Sequence, residues 1–315
     1  MAEPHPAIDA IELTKSFSGV LAVDRLSFQA AAGEVFGLVG PDGSGKTTTL
    51  RMLAGVLPPD SGFASVAGCD IAQDPEGAKA HISYMPQRFG LYEDLTVDEN
   101  IRFYADIFGV SRMERDQRAR QLLQAADMSP FGNRLAGKLS GGMKQKLGLI
   151  CALIHRPSVI LLDEPTNGVD PVSRREFWRI LYSLLAEGIA IVMSTAYLDE
   201  AERCHRVALL HQGHILFCDA PSNLKTKLRG AVVAVISNEP RRLREVLATV
   251  EGVLNVVLVA SGLHLIVDSA ELRIPELRAR ITDANVPVGS IEQVAPTIED
   301  LFVATVQRDS NRRHP

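Results

Sequence analysis

Gly40-Pro41-Asp42-Gly43-Ser44-Gly45-Lys46-Thr47 fits the pattern G-x-x-x-x-G-K-[ST] and stands between an apolar run at residues 35–39 and a helix-like run at residues 48–53. A strand that ends in a glycine-rich turn directs successive backbone N–H groups at an anion, and the following helix adds the positive end of its dipole. The Lys46 ammonium can then reach the β and γ phosphates, and the Thr47 hydroxyl can bind Mg²⁺. This phosphate loop, residues 40–47 followed by Thr48, predicts a nucleoside triphosphate site. The flanking strand and helix disfavour the alternative of a purely structural glycine turn.

The composition is that of an ordinary globular protein. With 315 residues, of which 46% are hydrophobic and 23% charged, the chain can bury a large core and is expected to form two domains. A formal net charge of −5 leaves no basic footprint for nucleic acid. The four cysteines lack metal-ligand spacing, and no apolar stretch is long enough to cross a bilayer. We therefore expect a cytosolic protein with reduced thiols, for which any membrane role must come through a partner.

Hydrophobic patterning predicts the organisation of the chain. Alternating runs at residues 8–13 and 20–28 predict antiparallel strands, and continuous apolar runs at residues 35–39, 159–162 and 189–193 predict parallel strands buried between helices. Helical patterns at residues 96–108 and 112–128 interrupt that sheet, the first opened by a capping box of Thr96 and Glu99. We expect an α/β domain over residues 7–224, with an antiparallel β subdomain and a helical insert at about 88–155.

The last part of the chain has a pattern of its own. Six short runs between residues 232 and 294 follow the order β-α-β-β-α-β, which predicts a small α+β, ferredoxin-like domain over residues 230–305. The remaining residues, 306–315, are locally basic and are expected to be a disordered tail.

Two adjacent carboxylates, Asp163 and Glu164, end the buried strand predicted at residues 159–162. Ligands of α/β folds bind at this carboxyl edge of the sheet. Asp163 would hold Mg²⁺ directly or through water, and Glu164 would polarise the attacking water, which are the groups that phosphoryl transfer requires beside a lysine. An acidic strand end before a turn is the alternative, and the phosphate loop favours the catalytic interpretation.

A second anion-binding pattern is the signature segment, Leu139-Ser140-Gly141-Gly142, which precedes helix-like residues 144–155. A serine hydroxyl and exposed N–H groups at the start of a helix can bind a phosphate. One phosphate tail does not need two such sites in one chain. We therefore interpret Ser140, Gly141 and Gly142 as a surface that faces the phosphate loop of a second ATP-binding domain, with simple N-capping by Ser140 as an equal alternative.

These motifs, in this order, resemble the ATP-binding subunits of ABC transporters over residues 7–224. The resemblance implies a P-loop NTPase core of the RecA-like type, ATP and Mg²⁺ as ligands, a second ATP-binding domain and membrane subunits as partners. It implies that Phe17 stacks on adenine, that Gln87 contacts Mg²⁺ and the water, and that Asp170 lies in a loop that crosses the dimer interface. From the residues alone, a core aromatic, a solvated glutamine and a helix cap remain the alternatives for these three.

The resemblance also completes the expected sets of functional residues. The catalytic set is Lys46, Gln87 and Glu164. The metal set is Thr47, Gln87 and Asp163. The nucleotide contacts are Phe17, Gly40, Asp42, Gly43, Ser44, Gly45, Lys46, Thr47, Thr48, Ser140, Gly141, Gly142 and Asp170.

One residue departs from the family pattern. After Met193-Ser194-Thr195 the family normally has a histidine that contacts the γ-phosphate and helps hold the water and the catalytic glutamate, whereas this chain has Ala196. Loss of one preorganised donor to a transition-state charge lowers a rate by about 10²–10³. We expect ATP binding to persist and hydrolysis at this site to be impaired. Alternatively, a neighbouring side chain substitutes for the histidine, or the alanine is engineered; Met143, where glutamine or glutamate is common, favours natural asymmetry.

The branch of the family is indicated by short segments. Residues 91–96 and 198–201 resemble drug-export ATPases, and residues 293–302 resemble the closing segment of daunorubicin-resistance type ATPases. The chain is most similar to the first ATPase half of tandem-ATPase exporters of the ABC-2 type. That resemblance implies ABC-2 type transmembrane permease subunits as partners, and an identical or related ATPase as the second ATP-binding domain.

Other functions fit the sequence less well. A soluble ABC protein of translation would carry two phosphate loops, a repair or chromosome ATPase would carry a long coiled coil, and a small-molecule kinase has no use for the signature segment. The serious alternative is a non-hydrolysing, ATP-binding regulatory half of a heteromeric ABC ATPase, because Ala196 also fits that function.

Overall fold

The computed structural model describes residues 6–88 and 90–313, with side chains as far as residue 307. The chain divides into two units, one ending at Cys218 and the other beginning at Asp219. This division lies before the boundary expected between residues 224 and 230. Within the described ranges, no helix combines the length and the apolar character needed to cross a membrane.

The first unit contains two sheets. Their strands are β1 (Ile8–Phe17), β2 (Val20–Ala30), β3 (Val35–Val39), β4 (Ser61–Val66), β5 (Cys69–Asp70), β6 (Ile82–Met85), β7 (Val159–Asp163), β8 (Ala190–Thr195), β9 (Arg206–His211) and β10 (His214–Asp219). The antiparallel sheet has the order β2-β1-β4-β5, and the larger sheet has the order β10-β9-β3-β8-β7-β6. Strands β9, β3, β8, β7 and β6 pair in parallel, as the continuous apolar runs predict.

The core of this unit lies between the sheets and the helices. Every residue of β3, β7 and β8 is buried. Phe28 of β2 stacks on Phe36 of β3 with ring centroids 4.8 Å apart, so the two sheets share one core. Because β3 and β7 are buried on both faces, their positions are fixed, and so are the points at which the phosphate loop and the carboxylate pair begin.

The helices of the first unit are α1 (Lys46–Leu53), α2 (Pro75–His81), α3 (Val97–Ile107), α4 (Arg112–Ala125), α5 (Gly141–Leu153), α6 (Pro171–Leu185) and α7 (Leu198–Ala201). Helices α3 to α5 form the expected insert between β6 and β7. The predicted capping box is present: Glu99 N–H donates to Thr96 Oγ1 and the Thr96 N–H donates to the Glu99 carboxylate, at 3.2 and 2.8 Å.

The second unit consists of α8 (Pro221–Lys225), β11 (Ala231–Ile236), α9 (Pro240–Leu247), β12 (Val253–Val259), β13 (Gly262–Val267), α10 (Ala270–Asp283), β14 (Ile291–Val294) and α11 (Ile298–Arg313). Its antiparallel sheet has the order β12-β13-β11-β14, which is the ferredoxin-like arrangement expected of β-α-β-β-α-β. Helix α11 begins with the predicted cap, since Asp300 N–H donates to Thr297 Oγ1 at 3.2 Å.

Two local expectations differ from the structure. Strand β1 continues through Phe17, because its pairing with β2 extends to Phe17↔Val20, whereas the sequence predicts a break at residues 16–19. Helix α11 continues to Arg313, so residues 306–313 are helical where a disordered tail is expected. The first five residues, Phe89, and residues 314–315 of that tail lie outside the described ranges.

Candidate nucleotide site

The phosphate loop leads from β3 directly into α1, as the sequence predicts. Gly43 and Gly45 have φ of 76° and 100°, in the left-handed region that favours glycine. A Cβ at Gly45 would lie 2.6 Å from the Ala22 carbonyl oxygen, and one at Gly40 would overlap the Leu210 carbonyl oxygen. The three glycines therefore let the backbone approach its neighbours closely while the first N–H groups of α1 remain available to an anion.

Lys46 is tied to its own loop. Its buried Nζ donates to the carbonyl oxygens of Gly40 and Pro41 at 2.8 and 3.0 Å, and it lies 3.3 Å from Glu164 Oε1. The Ser44 hydroxyl, in the same loop, is buried and has no hydrogen-bond partner among the described residues. Because a buried polar atom without a partner is costly, this hydroxyl indicates a ligand oxygen at the loop.

Asp163 is buried at the end of β7 and accepts three hydroxyl hydrogen bonds. Thr47 Oγ1 and Ser194 Oγ donate to its Oδ1 at 2.9 and 2.7 Å, and Tyr84 OH donates to its Oδ2 at 3.3 Å. Burial, reinforced by the negative charge of Asp163, raises the pKa of Tyr84 above its ordinary value, so Tyr84 stays a donor. The Thr47 hydroxyl and the Asp163 carboxylate are hard oxygen donors of the kind Mg²⁺ prefers, and their pairing fits that ion.

Glu164 follows with a left-handed backbone, φ 47°, which is strained for a residue with a side chain. Its N–H is anchored to both oxygens of Ser194, at 2.9 Å from Oγ and 3.2 Å from the carbonyl oxygen. Gln87 Nε2 and Asn167 Nδ2 both donate to its Oε2, at 3.1 and 3.2 Å. The backbone conformation and these bonds turn the carboxylate toward Lys46 rather than along the strand.

One cavity of about 380 Å³ is lined by Phe17, Ala22, Asp42, Gly43, Gly45, Lys46, Thr47, Thr48, Gln87, Glu164 and Asn167. Asp163 does not line it and contacts its wall through the hydrogen bond from Thr47. Phe17, at the edge of this cavity, is 46% exposed. A ring that stacks on a ligand needs such exposure, and a core aromatic lacks it. The cavity thus combines an aromatic face at one end, an anion-binding loop at its centre and a carboxylate beside that loop.

Six of the expected nucleotide contacts do not line this cavity. Gly40 and Ser44 belong to the phosphate loop itself, and the other four are Ser140, Gly141, Gly142 and Asp170. Ser140 accepts the Met143 N–H at 3.3 Å as the N-cap of α5. A Cβ at Gly142 would overlap Ser173 Oγ, so this glycine lets α5 pack against α6. Gly141, with nothing within 4 Å of its Cβ position, is exposed.

Asp170 is the N-cap of α6. It accepts the N–H groups of Val172 and Ser173, both at 3.0 Å. Those bonds, the one from Ser173 first, lower the pKa of Asp170. The capping alternatives for Ser140 and Asp170 are therefore present in this structure, and a role toward a second domain stays a prediction.

Ala196 lies beside a second cavity of about 200 Å³, lined by Asp42, Glu164, Thr166, Asn167, Thr195, Ala196 and Tyr197. Beneath it, the buried carboxylate of Glu200 accepts hydrogen bonds from Thr166 and Thr195, both at 2.8 Å. The side chain at position 196 is thus a methyl group at the rim of a space that opens onto Glu164.

The sequence interpretation missed four residues that contact the site: Tyr84, Asn167, Ser194 and Tyr197. Ser194 lies opposite Asp163 in the register of β7 and β8, and Tyr84 lies on β6 beside β7. Their roles depend on the order of strands in the sheet, which the motifs do not encode. Asn167 differs from them, because it follows Glu164 by only three residues and its proximity to that carboxylate could have been predicted from the local sequence.

Comparisons with known proteins agree with this site. The family described as ABC transporter matches residues 23–167. The chain is 52% identical over 220 residues to the probable multidrug ABC transporter ATP-binding protein YbhF of Escherichia coli (strain K12), an alignment covering 69% of this chain and 38% of that protein. It is 32% identical over 302 residues to the daunorubicin resistance ATP-binding protein DrrA2 of Streptomyces coeruleorubidus, covering 94% of each.

A solved structure described as the ATP binding subunit of an ABC transporter superposes with a TM-score of 0.64 at 28% identity, covering 70% of this chain and 92% of that one. The chain therefore spans well under half the length of the first of these relatives and nearly the whole of the second.

Proposed function

The chain belongs to the family of ABC transporter ATP-binding proteins, and we propose that it binds and hydrolyses ATP to power export of a substrate through partner ABC-2 type membrane subunits. The observation that carries this proposal is one cavity lined by Lys46, Thr47, Glu164 and the exposed ring of Phe17, with Asp163 hydrogen-bonded to Thr47 in its wall. An ATP molecule placed there meets an aromatic face, an anion-binding loop and a carboxylate.

The residues of the chain divide the work on ATP as follows. The Lys46 ammonium exchanges its bonds to the loop carbonyls for bonds to the phosphates, and Ser44 Oγ gains the partner it lacks. Thr47 and Asp163, with Gln87, would hold Mg²⁺, which when bound neutralises charge on the β and γ phosphates. Glu164 orients the attacking water toward the γ-phosphate and accepts a proton from that water.

We propose that the nucleotide is shared between two ATP-binding domains. The signature segment of one domain then faces the phosphate loop of the other, and Ser140, Gly141 and Gly142 supply N–H and hydroxyl groups to the γ-phosphate. The support is that these residues lie away from the cavity of their own domain, with Gly141 open on the surface. A ligand bound by two surfaces favours the closed pair over the open pair, which is the differential affinity that drives motion.

We propose that closure acts on the membrane subunits through the groove beside Gln87 to Asp98, where Gln87 Nε2 donates a hydrogen bond to Glu164. We place the chain on the cytoplasmic face of the membrane, bound to those subunits. The second ATP-binding domain is either another copy of this chain or a related ATPase.

Ala196 reduces hydrolysis at the chain's own site in this proposal. A methyl group supplies no hydrogen bond to the γ-phosphate, and one such donor is worth about 10²–10³ in rate. A partner domain with an intact histidine would then carry most of the turnover. The alternative is a regulatory half that binds ATP and does not hydrolyse it, and the Ala196 methyl at the rim of the second cavity is the observation that favours it.

Steady-state MgATP hydrolysis by the chain, its Ala196→His variant and its Glu164→Gln variant tests the proposal. We expect slow turnover by the natural chain, a rise on Ala196→His and loss on Glu164→Gln. Brisk turnover by the natural chain that Glu164→Gln abolishes would favour an active homodimer. Binding without turnover in all three proteins would favour the regulatory half.

A further inference from the structure

Asn167 and Tyr197 form a hydrogen-bonded chain that ends on the carboxylate of Glu164. Tyr197 OH donates to Asn167 Oδ1 at 3.3 Å, and Asn167 Nδ2 donates to Glu164 Oε2 at 3.2 Å. Since the phenol donates to the amide oxygen, the amide nitrogen is the end left to face Glu164. All three residues line the second cavity, which Ala196 also lines.

Tyr197 is itself held in place. Its N–H donates to Thr195 Oγ1 at 3.0 Å, and its ring lies under the Arg174 guanidinium, 4.4 Å from centroid to Cζ. Thr195 and Arg174 both contact the fully buried carboxylate of Glu200, at 2.8 and 3.7 Å. The phenol is therefore fixed to the protein interior, whereas Asn167 is exposed and depends on the phenol for its orientation.

The geometry points to a positioning role: we propose that Asn167, oriented by Tyr197, holds the Glu164 carboxylate for catalysis in this site that lacks a histidine. Asn167 supplies a donor to Glu164 from the side of the cavity next to Ala196, and Gln87 supplies the other donor to the same oxygen. Asn167 and Tyr197 thus take over one role of the family histidine, which is to hold the catalytic glutamate. They do not replace its other role, the contact to the γ-phosphate. This inference rests on the proposed function, in which Glu164 acts on the water.

The contribution of Tyr197 is separable from its packing. Tyr197→Phe removes the hydroxyl and keeps the ring under Arg174. Tyr182→Phe is a matched control, because Tyr182 OH donates to the Arg203 carbonyl oxygen at 2.8 Å and does not line either cavity described above. Asn167→Ala removes the direct donor to Glu164, and the double variant Tyr197→Phe with Asn167→Ala tests whether the two act as one unit.

Single-turnover hydrolysis of bound MgATP measures the rate of the hydrolysis step, and binding of a fluorescent ATP analogue measures the nucleotide affinity separately. We expect Tyr197→Phe to lower the hydrolysis rate about 3- to 10-fold and Asn167→Ala about 10-fold or more, with unchanged nucleotide affinity. The double variant should be no slower than Asn167→Ala. In the Ala196→His background the effect of Tyr197→Phe should shrink, because the histidine then also holds the glutamate.

Three results would overturn the positioning role: a natural rate in Tyr197→Phe, equal losses in Tyr197→Phe and Tyr182→Phe, or additive losses in the double variant. A natural chain that binds the analogue and shows no single turnover would also overturn it, since Glu164 would then be idle. Failure to bind the analogue would instead overturn the proposed function itself, so the two failures are distinguishable.

Discussion

Thr47 Oγ1 lies 2.9 Å from Asp163 Oδ1, although 116 residues separate the two in the sequence. The contact exists because α1 starts at the carboxyl end of β3, and β7 ends at the same edge of the sheet with only β8 between them. Ser194 of that middle strand donates to the same carboxylate oxygen. The contact between the two proposed metal ligands is therefore a property of the strand order rather than of either motif alone.

Replacement of Asp163 by asparagine should uncouple nucleotide binding from Mg²⁺. The amide has the shape of the carboxylate but not its charge, so we expect the Mg²⁺ dependence of ATP-analogue binding to disappear and hydrolysis to fall by about 10²-fold or more. Asp127→Asn is the control, since Asp127 pairs with Arg179 on the surface at 2.6 Å. A variant that keeps its Mg²⁺ dependence would remove Asp163 from the metal site.

Replacement of Lys46 by alanine should weaken ATP binding by about 10²-fold, because two charge-assisted hydrogen bonds to phosphate are lost. Lys79→Ala removes a solvent-exposed lysine of α2 that pairs with Glu76 and should bind ATP normally. Isothermal titration with MgATP measures both. Equal affinity of Lys46→Ala and the natural chain would show that the ammonium stays with its loop carbonyls when ATP binds.

The two glycines of the signature segment should respond differently to alanine. A Cβ at Gly142 would overlap Ser173 Oγ, whereas a Cβ at Gly141 would meet nothing within 4 Å. Gly142→Ala should lower the free energy of unfolding by about 1–3 kcal/mol, as other overpacked contacts do, and Gly141→Ala should change it by less than about 0.5 kcal/mol.

Denaturant unfolding measures that difference, and ATP-dependent dimerisation gives a second readout. If Gly141 meets a partner domain, Gly141→Ala should weaken dimerisation without loss of stability. Identical stabilities of the two variants would contradict the packing role of Gly142.

The second unit should be more stable at pH 6 than at pH 8.5. His264 Nδ1 lies 3.0 Å from the buried carboxylate of Asp300, and that hydrogen bond raises the pKa of His264. Because the folded pKa is above the ordinary value of 6.5, the stabilisation is complete below pH 6.5 and is lost as the pH rises through the folded pKa. Burial would raise the pKa of Asp300, but the bonds from His264 and Thr297 outweigh it and lower the pKa, so a second loss comes only in strong acid.

Hydrogen exchange of the β13 amides at the two pH values, corrected for intrinsic rates, measures this difference in the full chain. We expect about 1 kcal/mol less protection at pH 8.5 and no such difference in His264→Gln. His214→Gln, at a half-exposed histidine of the first unit, should leave the difference intact. Persistence of the full pH effect in His264→Gln would assign it to other groups.

Local chemistry explains what the sequence predicts well. Three features depend on residues within about eight positions of one another: the phosphate loop, the capping box at Thr96 and the cap at Thr297. Their patterns can therefore be recognised in the sequence alone. The parallel sheet was predictable because strands covered on both faces must be apolar throughout.

What the sequence does not predict depends on pairing between distant segments. Ser194 reaches Asp163 and Glu164 only because β8 lies beside β7, and Gly142 needs to be small only because α6 passes over it. The roles of Asn167 and Tyr197 toward Glu164 required the turn after β7 and the turn after β8 to meet at one edge. The end of α11 was missed for a different reason, since a basic polar tail resembles both a disordered end and a solvated helix.

The bonds between Lys46 and the carbonyl oxygens of its own loop imply selection by phosphate number. A ligand gains from the ammonium only if it makes contacts better than those that Lys46 already has with Gly40 and Pro41. AMP, whose single phosphate does not extend to the β position, offers no such replacement and leaves the ammonium where it is. The loop therefore keeps its shape when it is empty and discriminates against nucleoside monophosphates by competition within the protein rather than by exclusion.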